Sequence, residues 1–303
     1  MEESDLKPDR AALCVLLTCY NRRELTLRSL GAVRVAARAA GLDWCGVLVD
    51  DGSSDGTGES VRVAFPEVTV VRHEGPPLFW CRGMHRAMTD AAAQGHDNYL
   101  LLNDDTELVP DALVAMQACV ARQRQEAGAP VIVIGSVCDP DTGHPTYGGR
   151  RRVSRWRPIS LALIEPSTLA QPADSFDGNV VWIPAEVRRQ VGDLDAGFEH
   201  AMGDLDYGLR AGRCGVRLWV APGWVGTCRS NPSQGTFHDR SLPWRARWRH
   251  FASRRHLPWR SWMRLTRRHA GPLWPLYFVW PYARMLLSGL VPARAAVAGE
   301  GPR

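Results

Sequence analysis

An uninterrupted run, LCVLLTC (13–19), stops abruptly at the polar stretch YNRRE. It is too short for a buried helix and reads as a strand covered on both faces. Asn21, with Glu24 three residues on, reads as a capping box, so a helix is expected to run to about Ala40 and stop at Gly41. The alternation then repeats. CGVLVDD (45–51) is a second strand, GSSDGTG a turn, and a short helix follows to about Phe65. VTVVRHE (68–74) is a third strand, and LFWCRGMHRAMTDAAAQG (78–95) is a helix after a Gly-Pro-Pro break. NYLLLN (98–103) is a fourth strand, Pro110 opens a helix to about Ala127, and VIVIGSV (131–137) is a fifth strand.

After residue 138 the texture changes. DPDTGHPTYGG suggests a hairpin, ISLALI (159–164) and NVVWIP (179–184) look like strands, and AEVRRQVG is a short helix. GDLDYGLRAGRCG (203–215) is a helix ending in glycine, and VRLWVAP (216–222) is a last strand. From about Ser230 the chain is rich in Arg and Trp and helical. Apolar strands alternating with helices predict an α/β fold, with a mostly parallel sheet flanked by helices and a C-terminal helical extension. Ligands of such sheets bind beyond the carboxyl ends of the strands. Three strands here end in polar residues at that place: TCYN, VDDGSSD and NDDTE.

Composition narrows the field. With 303 residues, 45% hydrophobic and 23% charged, the chain has ample core and is not a disordered protein. Its start, MEESDLKPDR, has no apolar leader, and the most apolar stretch (271–293) is broken by four prolines and Arg284, so no membrane span is expected. None of the eight cysteines forms a CxxC pair, so their spacing indicates neither a zinc site nor a disulfide framework. Most fall in apolar runs as buried thiols, which suits a reducing, cytoplasmic setting.

The adjacent acids Asp104 and Asp105 admit three readings: a solvated turn, a general acid/base pair, or oxygen ligands for a hard divalent cation. The spacing of Gly52, Gly56 and Gly58 is wrong for the dinucleotide fingerprint, and acids crowd a turn where a pyrophosphate needs bare amides. No GxxxxGK[ST] is present, which excludes a P-loop.

VLLTCYNR, VLVDDGSSDGT, LLNDDTEL and GDLDYGLRAGRCGVRL, in this order, resemble the inverting glycosyltransferases of family two, with the GT-A fold, over about residues 13 to 225. The resemblance is closest to bacterial members that build cell-surface polysaccharides, including rhamnosyltransferase-like ones. It implies a nucleotide-sugar donor (UDP-, dTDP- or GDP-linked) and Mg²⁺ or Mn²⁺. It assigns Thr18, Tyr20 and Asn21 to the nucleoside, Asp51 in preference to Asp50 to the base, and Arg82, Gly83 and Met84 to the donor. Asp105 is the metal ligand, with Asp104 beside the ribose or sugar. Asp204 carries the catalytic base, although Gly203 stands where the family has a glutamate; Asp206 and Glu199 are fallback bases. Asn179, Asp177 and Trp182 line the acceptor. The packing reading of Phe79, Trp80 and Met84 stands beside the donor reading.

Residues 240–269 hold ten arginines and no acid, interleaved with Trp244, Trp248, Trp259 and Trp262. A basic, aromatic, helical segment favours an anionic membrane surface over nucleic acid, and one or two arginines closing on the donor diphosphate is compatible with it. HFASRR resembles a degraded family segment that makes Arg254 the diphosphate candidate; His238 is a further metal or phosphate candidate. The expected division is a disordered start (1–11), a GT-A domain (12–235) and a basic Trp-rich extension (236–303). The whole reads as a cytoplasmic glycosyltransferase, peripheral on the inner face of the plasma membrane, acting on a glycan or lipid-linked acceptor. Its rivals are an inactive GT-A-like membrane partner and a sugar-phosphate nucleotidyltransferase; TCYNRRE lacks the Gly-rich loop the latter needs.

Overall fold

The computed structural model describes residues 12–154, 156–230, 236–237, 239 and 241–290. The expected disordered start and His238 lie outside the described residues. The chain divides into two units, Met1–Ser230 and Asn231–Arg303.

In the first unit the four leading apolar runs are β1 (Leu13–Cys19), β2 (Trp44–Asp50), β3 (Val68–Arg72) and β4 (Asn98–Leu102), joined by α1 (Arg23–Ala40), α2 (Thr57–Ala64) and α3 (Phe79–Ala92). All four strands are parallel, in the order β3-β2-β1-β4. The chain winds one way from β1 to β3, then crosses back to the other side of β1. The crevice at the carboxyl ends of β1 and β4 is therefore a topological switch point. Leu13, Cys14, Val15, Leu16 and Leu17 are fully buried, which explains why β1 carries no polar alternation.

The chain continues through β5 (Glu107–Leu108), α4 (Ala112–Ala127), β6 (Val131–Cys138), β7 (Pro145–Tyr147), β8 (Gly149–Ser154), β9 (Arg157–Leu163), β10 (Gln171–Ala173), β11 (Ser175–Phe176), β12 (Val180–Pro184), α5 (Ala185–Val191), α6 (Gly203–Arg213) and β13 (Arg217–Thr227). The main sheet extends from β4 through β12, β6 and β13 to β10. β12 is antiparallel to both neighbours, so its start, not its end, lies at the ligand-side rim. β8, β9 and β11 form a separate three-stranded sheet.

Two local expectations change, and one strand was not expected. Asn21 does not cap α1; it adopts φ 51°, and the first helical amide, Arg23 N–H, is instead received by Asp55 Oδ2 at 3.1 Å. The last strand runs past Pro222 to Thr227, because a register break between Val220 and Trp224 accommodates a residue with no N–H. β8, GRRRVS, was hidden by its three arginines, which lie on a partly exposed strand.

The second unit holds α7 (Trp244–Phe251), α8 (Trp259–His269), a single 3₁₀ turn (Gly271–Leu273) and α9 (Trp274–Leu290). Indole and phenol donors hold it together: Trp262 Nε1 to the Phe278 carbonyl at 3.1 Å, Trp244 Nε1 to that of Met285 at 3.3 Å, and Tyr282 Oη to that of Leu257 at 3.0 Å. Trp248, Phe251 and Phe278 stack around Tyr282, with centroids 5.6–6.3 Å from it. Most tryptophans of the segment thus serve packing, whereas Trp259 is 53% exposed.

Candidate active site

The tips of β1 and β2 are latched together. Asn21 Oδ1 accepts from the Ser54 amide at 2.7 Å, and the Asn21 amide donates to Ser53 Oγ at 3.0 Å. Thr18 Oγ1 donates to the Val49 carbonyl at 3.1 Å, and Gly83 lies flush against that Thr18 side chain, which allows α3 to approach β1. Asp50 is buried and receives the Ser53 amide at 2.8 Å, leaving Asp51 as the acid of the pair that faces the rim. The Asp51 carboxylate accepts the amides of Leu78 and Phe79 at 2.9–3.0 Å, satisfying orphan donors at the start of α3. Tyr20 is 59% exposed beside them.

The end of β4 carries the acids. Asp104 Oδ1 and Asp105 Oδ2 meet on one atom, Arg22 Nη1, at 2.9 and 2.7 Å. Burial pushes the Asp104 carboxyl up to about 6; the Arg22 charge opposes this and the Asp105 charge adds to it. The Cys228 thiol, itself pushed up to about 12 by burial, lies 3.5 Å from Asp105 Oδ1. Two carboxylates converging on one cationic atom mark a place where a cation is favoured. Their hard oxygen donors suit Mg²⁺ or Mn²⁺, and two protein ligands leave positions open for phosphate oxygens.

A short chain of contacts links these acids to Asp204. Trp80 Nε1 donates to Asn103 Oδ1 at 2.7 Å. The Trp80 ring lies directly on Gly178, where a Cβ would collide with it. The Gly178 amide donates to Asp204 Oδ2 at 3.1 Å, and the Leu205 amide donates to Asp204 Oδ1 at 2.8 Å. Burial pushes Asp204 up to about 6, helped by the Asp177 charge and opposed by those two amides and by Arg150. Asp177 is likewise raised by burial, against the Arg150 guanidinium that holds it at 2.9 Å.

Residues 14–163 match the profile of glycosyl transferase family 2. That stretch carries the profile of a family 2 glycosyltransferase domain. No curated protein matches the chain. The mannosyltransferase PcManGT from Pyrobaculum calidifontis, solved with GDP-Man and Mn²⁺, superposes with a TM-score of 0.56 at 18% identity, over 98% of this chain and 78% of that one. GalNAc-T7, solved with UDP, GalNAc and Mn²⁺, gives 0.53 at 16% identity, over 75% of this chain but only 45% of that one. S. aureus TarS 1–349, solved with UDP, gives 0.51 at 12%, over 73% and 61%. At these identities the likeness shows the GT-A fold.

Within the first unit, Thr18, Asn21, Asp51, Gly83, Asp104, Asp105, Asp177 and Asp204 belong to one connected rim. Arg82 donates to the Ala196 carbonyl at 3.1 Å and faces Glu199 at 3.6 Å, so that glutamate is engaged as an ion-pair partner. Asp206 is fully buried and pairs with Arg210 at 2.9 Å, as its i, i+4 spacing implies. Two acceptor assignments need correction. Trp182 is 2% exposed, and its Nε1 bonds Asn98 Oδ1 at 3.0 Å, at the opposite end of β4 from the acids, so it is a core residue. Asn179 is 3% exposed and bonds Thr106 and Cys228 beneath the rim. Arg254 lies in the second unit, between α7 and α8. Sequence reasoning missed Arg22 and Cys228 and left Trp80 undecided.

The non-glycine residues with left-handed backbones among those described are Asn21, Phe79 and Met202, at φ 51°, 61° and 77°. They stand at the starts of α1, α3 and α6, the three helices that aim at the rim. Strain of this kind, on the order of 1–3 kcal/mol each, gathers where geometry serves chemistry. Gly203 fits the same account. A Cβ there would collide with the Cys81 sulfur, so the glutamate expected from the family has no room. Gly203→Glu is expected to cost on the order of 1–3 kcal/mol through overpacking, without restoring a base. A lower Tm in thermal melts would show it; a Tm equal to the parent's would refute the packing account.

Proposed function

We propose that the chain transfers a sugar from a nucleoside-diphosphate donor to an acceptor hydroxyl, with inversion at the anomeric carbon, assisted by Mg²⁺ or Mn²⁺. The observation that carries this reading is the convergence of Asp104 and Asp105 on one cationic point, tied through Asn103, Trp80 and Gly178 to Asp204. A bound divalent ion supplies neutralisation of the leaving diphosphate. Asp104 and Asp105 would hold it, displacing Arg22 Nη1. Asp51, Asn21 and Thr18 shape the nucleoside end of the rim, and exposed Tyr20 offers a ring for the base to stack on. Asp204 takes the acceptor proton as the oxygen attacks from the face opposite the diphosphate, which inverts the centre. A carboxyl poised near 6 is ionised at neutral pH yet more basic than a solvated aspartate, which suits that task.

A thermal-shift screen of UDP-, dTDP- and GDP-sugars with and without Mn²⁺ tests the reading. One donor class is expected to raise Tm only with the metal present. No shift with any nucleotide sugar would overturn it.

The acceptor is proposed to be lipid-linked or polysaccharide, with the second unit resting on an anionic membrane surface. Arg260, Arg264 and Arg267 follow helical spacing along the exposed side of α8. Leu276, Val279, Trp280 and Leu287 on α9 are 55–67% exposed at i, i+3, i+4 and i+11, one apolar stripe. Among the described residues no helix is long and apolar enough to cross a membrane. Basic groups beside an exposed apolar stripe with Trp match an interfacial helix pair. In liposome flotation the chain is expected to float with vesicles containing anionic lipid and to be released by salt. Equal recovery with purely zwitterionic vesicles would refute the electrostatic part.

A further inference from the structure

The end of the sheet away from the sugar-transfer rim brings together three side chains that sequence spacing kept apart. Cys14 on β1 and Cys45 on β2 are register partners on adjacent parallel strands, so their side chains stand on the same face of the sheet. His96, on the loop between α3 and β4, is 2% exposed and lies against them. The ligand atoms of all three lie within 4.8 Å of one another. No other group of three or more His, Cys, Asp or Glu side chains meets that condition among the described residues.

The geometry points to a binding site for a borderline-soft divalent cation of the Zn²⁺ class, held by Cys14 Sγ, Cys45 Sγ and a His96 ring nitrogen. Cys45 Sγ lies 3.6 Å from His96 Nε2 and 3.8 Å from Nδ1. Zn–S and Zn–N bonds of about 2.3 and 2.0–2.1 Å at a tetrahedral angle would set S and N about 3.5 Å apart, close to what is seen. Gln94 Oε1 lies 3.1 Å from His96 Nε2, an outer partner of the kind that orients a ligating imidazole. Cys45 is only partly buried, which gives an entry path. Binding would deprotonate both thiols and release two protons. Thiolate and imidazole ligands discriminate against Mg²⁺ and Mn²⁺, so this site and the Asp104–Asp105 pair would not compete for one ion. Cys14 is also four residues from Thr18 along β1, roughly 13 Å at the usual strand rise. The bound ion would staple β1, β2 and the loop entering β4, the three segments that carry the rim, and the inference holds whether or not the sugar-transfer reading is right.

The test is spectroscopic. The full chain, stripped with chelator under reducing conditions, is titrated with Co²⁺ and then Zn²⁺. One equivalent of Co²⁺ is expected to produce thiolate-to-metal charge-transfer absorption, bleached by Zn²⁺ and untouched by excess Mg²⁺. Cys45→Ser is expected to weaken the band and lower Co²⁺ affinity at least 10-fold, and His96→Gln to lower affinity while keeping a thiolate band. Absence of the band in the reduced chain, or a band unchanged in Cys45→Ser, overturns the proposal. If Cys45→Ser does not fold, the His96→Gln titration and the metal content of the purified parent chain decide: unaltered affinity, or no stoichiometric Zn²⁺ after loading, overturns it equally.

Discussion

Asp204→Asn is expected to abolish sugar transfer while donor binding survives. A positioned general base contributes about 10²–10⁴-fold, and the amide cannot take the acceptor proton. Asparagine keeps the size of the side chain, but its NH2 group is a donor, so one of the Gly178 and Leu205 amides, each received now by its own carboxylate oxygen, loses its acceptor. A loss on the order of 1–3 kcal/mol in stability is therefore expected beside the kinetic loss. Calorimetric donor titration separates the two: the variant should bind donor with near-parental affinity and fail in turnover. The pH profile supplies a second check. Only the ionised carboxyl can act as base, and its pKa is raised to about 6, so kcat/KM should fall as pH drops through about 6 and level off above it. Parental turnover in Asp204→Asn would sink the assignment.

Asp105→Ala is expected to remove metal-dependent donor binding. Asp105 is the more open of the two acids, at 30% side-chain exposure against 9% for Asp104. Removing it leaves Arg22 facing Asp104 alone, a closed ion pair with one fewer oxygen for a divalent ion. Metal stabilisation of a developing diphosphate is worth several kcal/mol, so a loss on the order of 10³-fold in kcat/KM is expected. Titration of donor with and without Mn²⁺ should show the metal increment in the parent and none in the variant. A variant that keeps the full increment would move the ion elsewhere. Arg22→Gln provides the complementary arm: with the competing guanidinium gone, Mn²⁺ should bind more tightly before donor arrives.

Much of this was legible in the chain. β1 to β4 and their helices announced themselves because strands covered on both faces need uninterrupted apolar runs, and the rim showed itself where those runs ended in acids. What was not legible follows from contacts that no local pattern encodes. Arg22 and Asp105 are 83 residues apart, and nothing in YNRRE says which arginine reaches the acids. Trp182 looked like an acceptor-lining aromatic because it follows FDGN, yet β12 is antiparallel, so two residues along it the chain is already heading away from the rim. β8 carries no strand-like alternation, since GRRRVS has the composition of a loop and the small sheet it joins tolerates exposed arginines. The Cys14–Cys45–His96 cluster lay beyond spacing rules because its members come from two strands and a loop.

One position in the first unit that bears no reactive group is among those least open to change. Gly178 exists as bare backbone beneath the Trp80 ring, and its amide steadies Asp204. Even alanine there would wedge the indole away from Asn103 and disturb the acids and Asp204 together. A saturation library scored for turnover should therefore show a silent column at 178 as deep as those at the ionisable residues, and a survey guided by functional groups alone would pass over it.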